Sequence, residues 1–282
     1  MKEIYFEKKE EAVTLCSFLF RKNDEISIRW KSHSKQGHYL VITSPQSWHG
    51  EWKRLLVEGL IHVFLLHREQ AWLDEILLNC YYYTDDEERS HILELCQTLL
   101  CEETDLPRHE LSRGKRSKIL RELFSELLYQ EEGFHFDSLV RFRLPSYREK
   151  LVDFVGYALD EYKREEDYQT YVENLREFVR GKGVSNQHLH IIESETLKIY
   201  NSEGGYLDSS QLRQVAYEEP LYLFGMGRDE LFLSPIIAMA PHTISIYSDH
   251  LTNGTLITLL NVFQERVQIH PRKRFPFKQI AK

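Results

Sequence analysis

The stretch FRLPSYREKLVDFVGYALDEY, residues 142–162, decides how the middle of this chain is interpreted. Its apolar side chains recur every three or four residues, at Tyr147, Leu151, Phe154, Val155, Ala158, Leu159 and Tyr162. That spacing predicts an amphipathic helix with one buried face. Ser146 and Glu149 match a capping box, and Pro145 marks the start. The stretch therefore predicts a helix capped by Ser146.

A second apolar stripe follows on the same part of the chain, at Tyr168, Tyr171, Val172, Leu175, Phe178 and Val179. At ~100° per residue, this stripe is rotated by roughly 120° from the first. Either the helix breaks near Arg164–Asp167 and forms an αα-hairpin, or one long helix serves two partners. Residues 163–167, KREED, are all charged, which favours the break. Gly181 and Gly183 are expected to end the helical region.

Residues 1–48, at the start of the chain, are predicted to form a small α/β unit. A short strand at Glu3–Phe6, a helix at Glu10–Phe20 and two further strands separated by the turn SKQG fit the local periodicities. Residues 49–183 are predicted to be helical. One helix there is expected to be capped by Asp85 or Asp86.

Residues 184–282 are predicted to return to α/β structure. HLHIIES and LKIYN form a predicted hairpin, and Ser209–Tyr217 a short helix. Leu221–Phe224 is interpreted as a strand and Asp229–Ala240 as a buried helix. Strand 243–247, helix 253–265 and strand 267–270 form one βαβ unit. The fold class is therefore α/β or α+β, and we expect the two terminal units to pack together with the helical region inserted between them.

Composition narrows the class of protein. Of 282 residues, 42 % are hydrophobic and 28 % charged, the balance of a soluble globular protein. The net charge of −8 argues against general affinity for nucleic acid or anionic membrane. The charged N-terminus lacks the apolar core of an export signal, and the apolar run Leu55–Leu66 is too short to span a membrane. Four cysteines without a C-x-x-C pair agree with a cytoplasmic location.

The middle of the chain resembles the YtxC-like family of sporulation proteins. The resemblance is carried by RFRLPSYREKLVDFVGYALDEYKREEDYQTYVENLREFV, residues 141–179. The later LFLSPIIAMAPHTISIY and NGTLITLLNVFQERVQIH are also similar. The resemblance implies a cytoplasmic protein of a bacterial endospore former, linked to sporulation. It implies no reaction and supplies no catalytic residues.

One hypothesis is that the C-terminal βαβ unit makes the protein an enzyme or a binder of a small ligand, metal ion or phosphate. Asp249 and His250 follow a predicted strand, and ligands bind at the carboxyl ends of strands in such sheets. The amides after Asn253 and Gly254 open a helix that could receive an anion. The alternative is a turn in which Thr252 or Asn253 caps the helix.

Two histidines two positions apart offer a second candidate. His188 and His190 face the same side of a predicted strand and could share a metal, with Asp249 or His250 as a third ligand. Such pairs also arise by chance, so we assign neither metal nor cofactor. Catalytic motifs such as G-x-S-x-G or H-E-x-x-H are lacking, which favours a protein that is not an enzyme.

Nucleic-acid binding is a further alternative, disfavoured by the overall acidity. It would use a basic loop and a basic, aromatic tail, formed by Arg108, Arg113, Lys115, Arg116, Lys118, Arg272, Lys273, Arg274, Phe275, Phe277 and Lys278. The leading hypothesis is instead a protein that acts through protein partners. Its proposed anchors are the aromatic residues of the second stripe, Tyr168, Tyr171 and Phe178, because buried aromatics dominate interface energetics. The alternative is that these rings only pack in the core.

Overall fold

The computed structural model describes residues 1–22, 26–33, 37–43, 51–101, 111, 113–130, 133–183, 185–194, 196–224, 226 and 232–277. In these ranges helices combine with two four-stranded sheets, so the α/β class predicted from the sequence is confirmed. The chain divides into two compact units, Met1–Lys163 and Arg164–Lys282, each with its own hydrophobic core. The three-part division after residues 48 and 183 stays a prediction.

The first unit surrounds a mixed sheet with helices. Its elements are β1 (Lys2–Phe6), α1 (Lys9–Lys22), β2 (Ser27–His33), β3 (Gly37–Thr43), α2 (Glu51–Val63), a π-helical segment (Phe64–Glu69), α3 (Gln70–Asn79), α4 (Asp86–Cys101), α5 (Arg113–Gln130), β4 (Gly133–His135), α6 (Phe136–Arg143) and the first part of α7 (Pro145–Lys182). The strand order is β2-β3-β1-β4, with β1 and β4 parallel and the other pairs antiparallel. Strand β4 has three residues, too few to produce a periodic sequence signal. As predicted, Asp85 caps α4, accepting from the amides of Glu87 and Glu88.

The second unit is built on the sheet β6-β5-β7-β8. Its elements are the second part of α7, β5 (Ser185–Glu193), β6 (Leu197–Tyr200), α8 (Ser209–Tyr217), a 3₁₀ turn (Leu221–Phe224), α9 (Leu233–Met239), β7 (Pro241–Tyr247), α10 (Gly254–Phe263), a 3₁₀ turn (Gln264–Arg266), β8 (Val267–His270) and a last 3₁₀ turn (Arg272–Arg274). The β5–β6 hairpin is antiparallel, and β5, β7 and β8 are mutually parallel. The predicted hairpin and βαβ unit are both confirmed.

Helix α7 corrects the predicted break. It continues from Pro145 to Lys182 without interruption. Residues 163–167 are exposed, and lysine, arginine and glutamate are good helix formers whose charges stay hydrated. A run of charges therefore needs no break. The first stripe lies in the core of the first unit, whereas Val172, Leu175 and Val179 lie in that of the second.

Two local predictions are wrong. Ser146 does not cap α7, because the helix already begins at Pro145 and the Arg148 amide donates to the Leu144 carbonyl, 3.0 Å away. Leu221–Phe224 forms a 3₁₀ turn instead of a strand, and the Leu223 amide donates to the Pro220 carbonyl. The predicted helix Asp229–Ala240 is observed as Leu233–Met239, and residues 227–231 lie outside the described residues. Residues 34–36 of the predicted SKQG turn also lie outside them.

Candidate functional site

The two candidate histidines lie on the face of the second sheet opposite its main core. Strand alternation places Leu189 and Ile191 in the core, so His188 and His190 point the other way. The two imidazole rings stack with 4.2 Å between centroids. His188 Nε2 lies 2.8 Å from Ser245 Oγ, and His190 Nδ1 lies 3.1 Å from the Tyr247 hydroxyl. Both histidines therefore have hydrogen-bond partners on the neighbouring strand β7.

Burial keeps this histidine pair neutral. It lowers the pKa of His190 to about 4, and the nearby imidazoles of His188 and His270 act in the same direction. Burial also lowers the pKa of His188, again with a contribution from His270. Neutral imidazoles donate through one nitrogen and accept through the other. The face can thus offer hydrogen bonds without carrying charge at neutral pH.

The other candidate ligand residues follow β7. The Asp249 carboxylate accepts from the Arg272 amide, 3.2 Å away. His250 is exposed, and its amide donates to the Ser248 hydroxyl. Asn253 caps α10 by accepting from the Thr255 amide at 3.0 Å, which confirms the capping alternative. Gly254 is exposed, with open space beside it.

The hydrogen bonds of these candidates lead to different partners. His188 and His190 contact β7, whereas Asp249 contacts the chain after β8. Within the described part of the chain, no three His, Cys, Asp or Glu side chains are grouped so that they could hold a metal ion. Ligand binding by these residues stays a prediction.

The three predicted docking anchors pack against the core of the second unit and are half-buried. The Tyr168 hydroxyl accepts from the Asn261 amide group at 2.9 Å and lies 3.4 Å from Thr258 Oγ1. The Phe178 ring meets Phe224 edge-on at 5.2 Å. Tyr171 also packs against this core. These rings offer a partner only the edges that the core leaves uncovered, and their role as anchors stays a prediction.

The basic residues proposed to bind nucleic acid differ in their position and in their exposure to solvent. Arg108 and Lys278 lie outside the described residues, and Arg113 begins α5. Lys115 and Lys118 are exposed on α5. The guanidinium of Arg116, in contrast, is largely buried and pairs with the Glu69 carboxylate.

In the basic tail, the charged side chains and the phenylalanine rings differ in their exposure to solvent. Arg272, Lys273 and Arg274 are exposed, whereas Phe275 and Phe277 are half-buried. Both rings contact the second sheet, so most of their surface is already occupied. They retain little area on which bases could stack.

A polar cluster inside the first unit was not anticipated from the sequence. Glu69, at the end of the π-helical segment, accepts hydrogen bonds from Arg116 and from the Tyr147 hydroxyl. The preceding residue, Arg68, pairs with Glu11 and with Asp137. Burial raises the pKa of Glu69, and that of Glu11, against the opposing effect of the arginines. Because two guanidinium groups pair with three carboxylates from different elements, the cluster ties together the elements that carry them.

A short exposed apolar segment was also missed. Tyr217, Tyr222 and Leu223 have 72 %, 62 % and 69 % of their surface exposed, within seven consecutive residues. The sequence YEEPLYLF offers no periodicity that separates buried from exposed positions there. Only the folded structure, with Tyr217 at the end of α8 and Tyr222 and Leu223 in the 3₁₀ turn, shows which side chains point outward.

Comparison with known proteins shows the family to which the chain belongs. The sequence profile of the YtxC-like family matches residues 54–268, from α2 into β8. The chain belongs to the YtxC-like family. This confirms the resemblance inferred from residues 141–179.

One relative of the YtxC-like family is a Bacillus subtilis (strain 168) protein named "Uncharacterized protein YtxC". It is 30 % identical over 237 residues, which cover 81 % of this chain and 80 % of that protein. No solved structure matches the chain. Among the described helices, none combines the length and apolar character needed to cross a membrane.

Proposed function

We propose that this YtxC-like protein is a non-catalytic cytoplasmic protein that acts through a protein partner during sporulation. The sporulation context rests on the resemblance to a family of sporulation proteins. The partner-binding role rests on one surface, the segment Tyr217–Phe224, which we call the apolar segment. The proposed contact residues are Tyr217, Tyr222 and Leu223.

Exposure is the observation that carries this proposal. Single exposed apolar side chains are ordinary on protein surfaces, but several on one short segment are typical of interaction sites. Tyrosine in particular is enriched among the residues that contribute most to binding free energy. Tyr217, Tyr222 and Leu223 supply two tyrosines and one leucine.

The apolar segment is also held in place from beneath. Leu221 is buried, and Phe224 packs edge-on against Phe178 of α7. Glu219 pairs with Lys182 at 2.5 Å, and Lys182 also donates to the Ala238 carbonyl. A surface whose backbone is fixed loses less conformational entropy when it binds.

In-cell photo-crosslinking tests the proposal. A photoreactive residue is placed at position 222 in sporulating cells, and at position 82 as control, because Tyr82 is a 79 % exposed tyrosine of the first unit. We expect a discrete crosslinked species at position 222 that is missing at position 82. Identical crosslinking patterns at the two positions would remove the support for the apolar segment.

A further inference from the structure

Residues 271–277, PRKRFPF, are the last described stretch of the chain, and we call them the strap. The strap folds onto the second sheet. It follows β8 directly. Its Arg272 amide donates to Asp249 Oδ1, and residues 272–274 form a 3₁₀ turn. The strap thus turns after β8 and lies against the sheet face that carries His190 and Tyr247.

Two phenylalanines of the strap fill an aromatic groove, defined by His190, Tyr200, Gly204 and Tyr247. The Phe275 centroid lies 5.0 Å from that of Tyr200 and 5.1 Å from that of Tyr247. The Phe277 ring stands edge-on to His190, at 5.0 Å and 90°. These separations lie in the range of favourable aromatic pairs.

Gly204 makes room for one of these rings. A Cβ atom at this position would overlap the Phe277 ring. Gly204 also has a φ of +82°, in the turn that follows β6. A side chain here would both strain the turn and narrow the groove.

The floor of the groove differs from the opposite face of the same sheet. The opposite face is aliphatic, with Ile191, Ile244 and Ile246 in the core. Beneath the strap, His188 bonds to Ser245 and His190 bonds to Tyr247. Ile192, Tyr200 and Tyr247 are buried on this face, and Phe275 of the strap packs against them. The strap therefore covers aromatic rings as well as paired polar groups.

We propose that the aromatic groove is a recognition site for a protein segment with two phenylalanines separated by one residue, and that the strap is its intramolecular occupant. The chemistry of the ligand is taken from the occupant that fills the groove, Phe275-Pro276-Phe277. A partner segment of this chemistry competes with the strap, whose tethering gives it a high effective concentration. This inference builds on the proposed function by naming the chemistry of a partner.

Peptide binding to the full-length protein tests the proposal. The probe is a fluorescent peptide PRKRFPF, and the control peptide is PRKRAPA with the same charge. The groove is emptied by Phe275→Ala/Phe277→Ala. We expect saturable binding to this variant at least ten-fold tighter than to the wild-type protein, and no binding of the control peptide. Equal binding of both peptides, or no binding to the folded variant, would overturn the proposal. If the double variant does not fold, peptide binding is measured with the single variant Phe277→Ala instead.

Glycine variants locate the binding in the groove. In the emptied protein, Gly204→Ala should weaken peptide binding at least five-fold. Gly183→Ala is the matched control, because Gly183 has a φ of +80° and open space where a Cβ would lie. An unchanged affinity in Gly204→Ala, or an equal loss in both variants, would contradict the assignment of the groove. Peptide binding is measured on the purified protein and does not depend on the contact residues of the apolar segment, so its failure would leave the crosslinking test of the proposed function intact.

Discussion

The Tyr147 hydroxyl donates a hydrogen bond to the Glu69 carboxylate across 78 positions of sequence. Arg116 binds the same carboxylate, so three side chains from α5, α7 and the π-helical segment meet in the interior of the first unit. We predict that Glu69→Gln lowers the free energy of unfolding of the first unit by about 3–5 kcal/mol, because it leaves the Arg116 charge buried without a counter-charge. Tyr147→Phe should cost less, about 1.5–3 kcal/mol, the range for a hydrogen bond to a charged group.

Urea unfolding followed by tryptophan fluorescence measures this effect. All four tryptophans precede residue 164, so their signal reports on the first unit. Arg148→Gln is the control, because the Arg148–Glu75 pair is solvent-accessible at 3.0 Å and should contribute only about 0–1 kcal/mol. Equal costs for Glu69→Gln and Arg148→Gln would show that the buried cluster has no special role.

The buried histidine predicts a pH dependence for the second unit. The pKa of His190 is lowered from 6.5 to about 4. Between these values the unfolded chain binds a proton that the folded chain does not, so acid favours unfolding. The free energy of unfolding should therefore fall by up to about 3 kcal/mol as the pH drops from 6.5 towards 4.

Circular dichroism during urea unfolding at several pH values checks this, with tryptophan fluorescence recorded in parallel to separate the first unit. The control is His190→Gln, which keeps a hydrogen-bonding group near Tyr247 and cannot titrate. We expect a clearly shallower pH dependence in this variant. The same dependence with and without His190 would assign the effect to other groups.

Continuity of α7 predicts a large effect of proline at an exposed position. Glu166 lies in the charged segment where the sequence favoured a break. In a continuous helix Glu166→Pro should cost about 3 kcal/mol or more, whereas Glu166→Ala should be nearly neutral. Both variants are compared by urea unfolding. A proline variant as stable as the alanine variant would support the αα-hairpin after all.

The Tyr168 hydroxyl should contribute to the stability of the second unit. Tyr168→Phe removes the group that accepts from Asn261, at an expected cost of about 1 kcal/mol. Circular dichroism during urea unfolding measures this cost, and a variant as stable as the wild-type protein would show that the hydrogen bond contributes nothing. Because the variant keeps the aromatic ring, it tests the hydrogen bond and not the docking role of Tyr168.

Much of the second unit follows from local sequence signals. The hairpin of β5 and β6, the helix α8 and the βαβ unit all have periodicities long enough to detect, and Asn253 is a recognisable cap. The first stripe of α7 was also recognised as core. The predicted break of α7 in its charged segment is wrong, because a charged, solvated turn is compatible with a continuous helix.

Non-local features escaped prediction for a different reason. The Glu69–Arg116–Tyr147 cluster joins residues that are 31–78 positions apart in sequence. Glutamate and arginine are usually exposed, so the sequence does not indicate that these two side chains are buried. In sequence, Arg116 is therefore indistinguishable from the neighbouring basic residues of the nucleic-acid alternative. The contacts of Phe275 and Phe277 with the second sheet likewise depend on how the chain turns after β8. The periodicity of apolar residues in the sequence does not indicate that turn. Sequence patterns show which faces are apolar but not which surfaces meet them.

The count of heat-resistant spores tests whether the protein acts through a protein partner during sporulation. A deletion strain is compared with strains producing normal levels of Tyr217→Ser/Tyr222→Ser/Leu223→Ser or of the control Tyr82→Ser. We expect the triple variant to lower the count as far as the deletion does, while the control matches wild type. A deletion strain with a normal spore count, or a triple variant that sporulates like wild type, would contradict it.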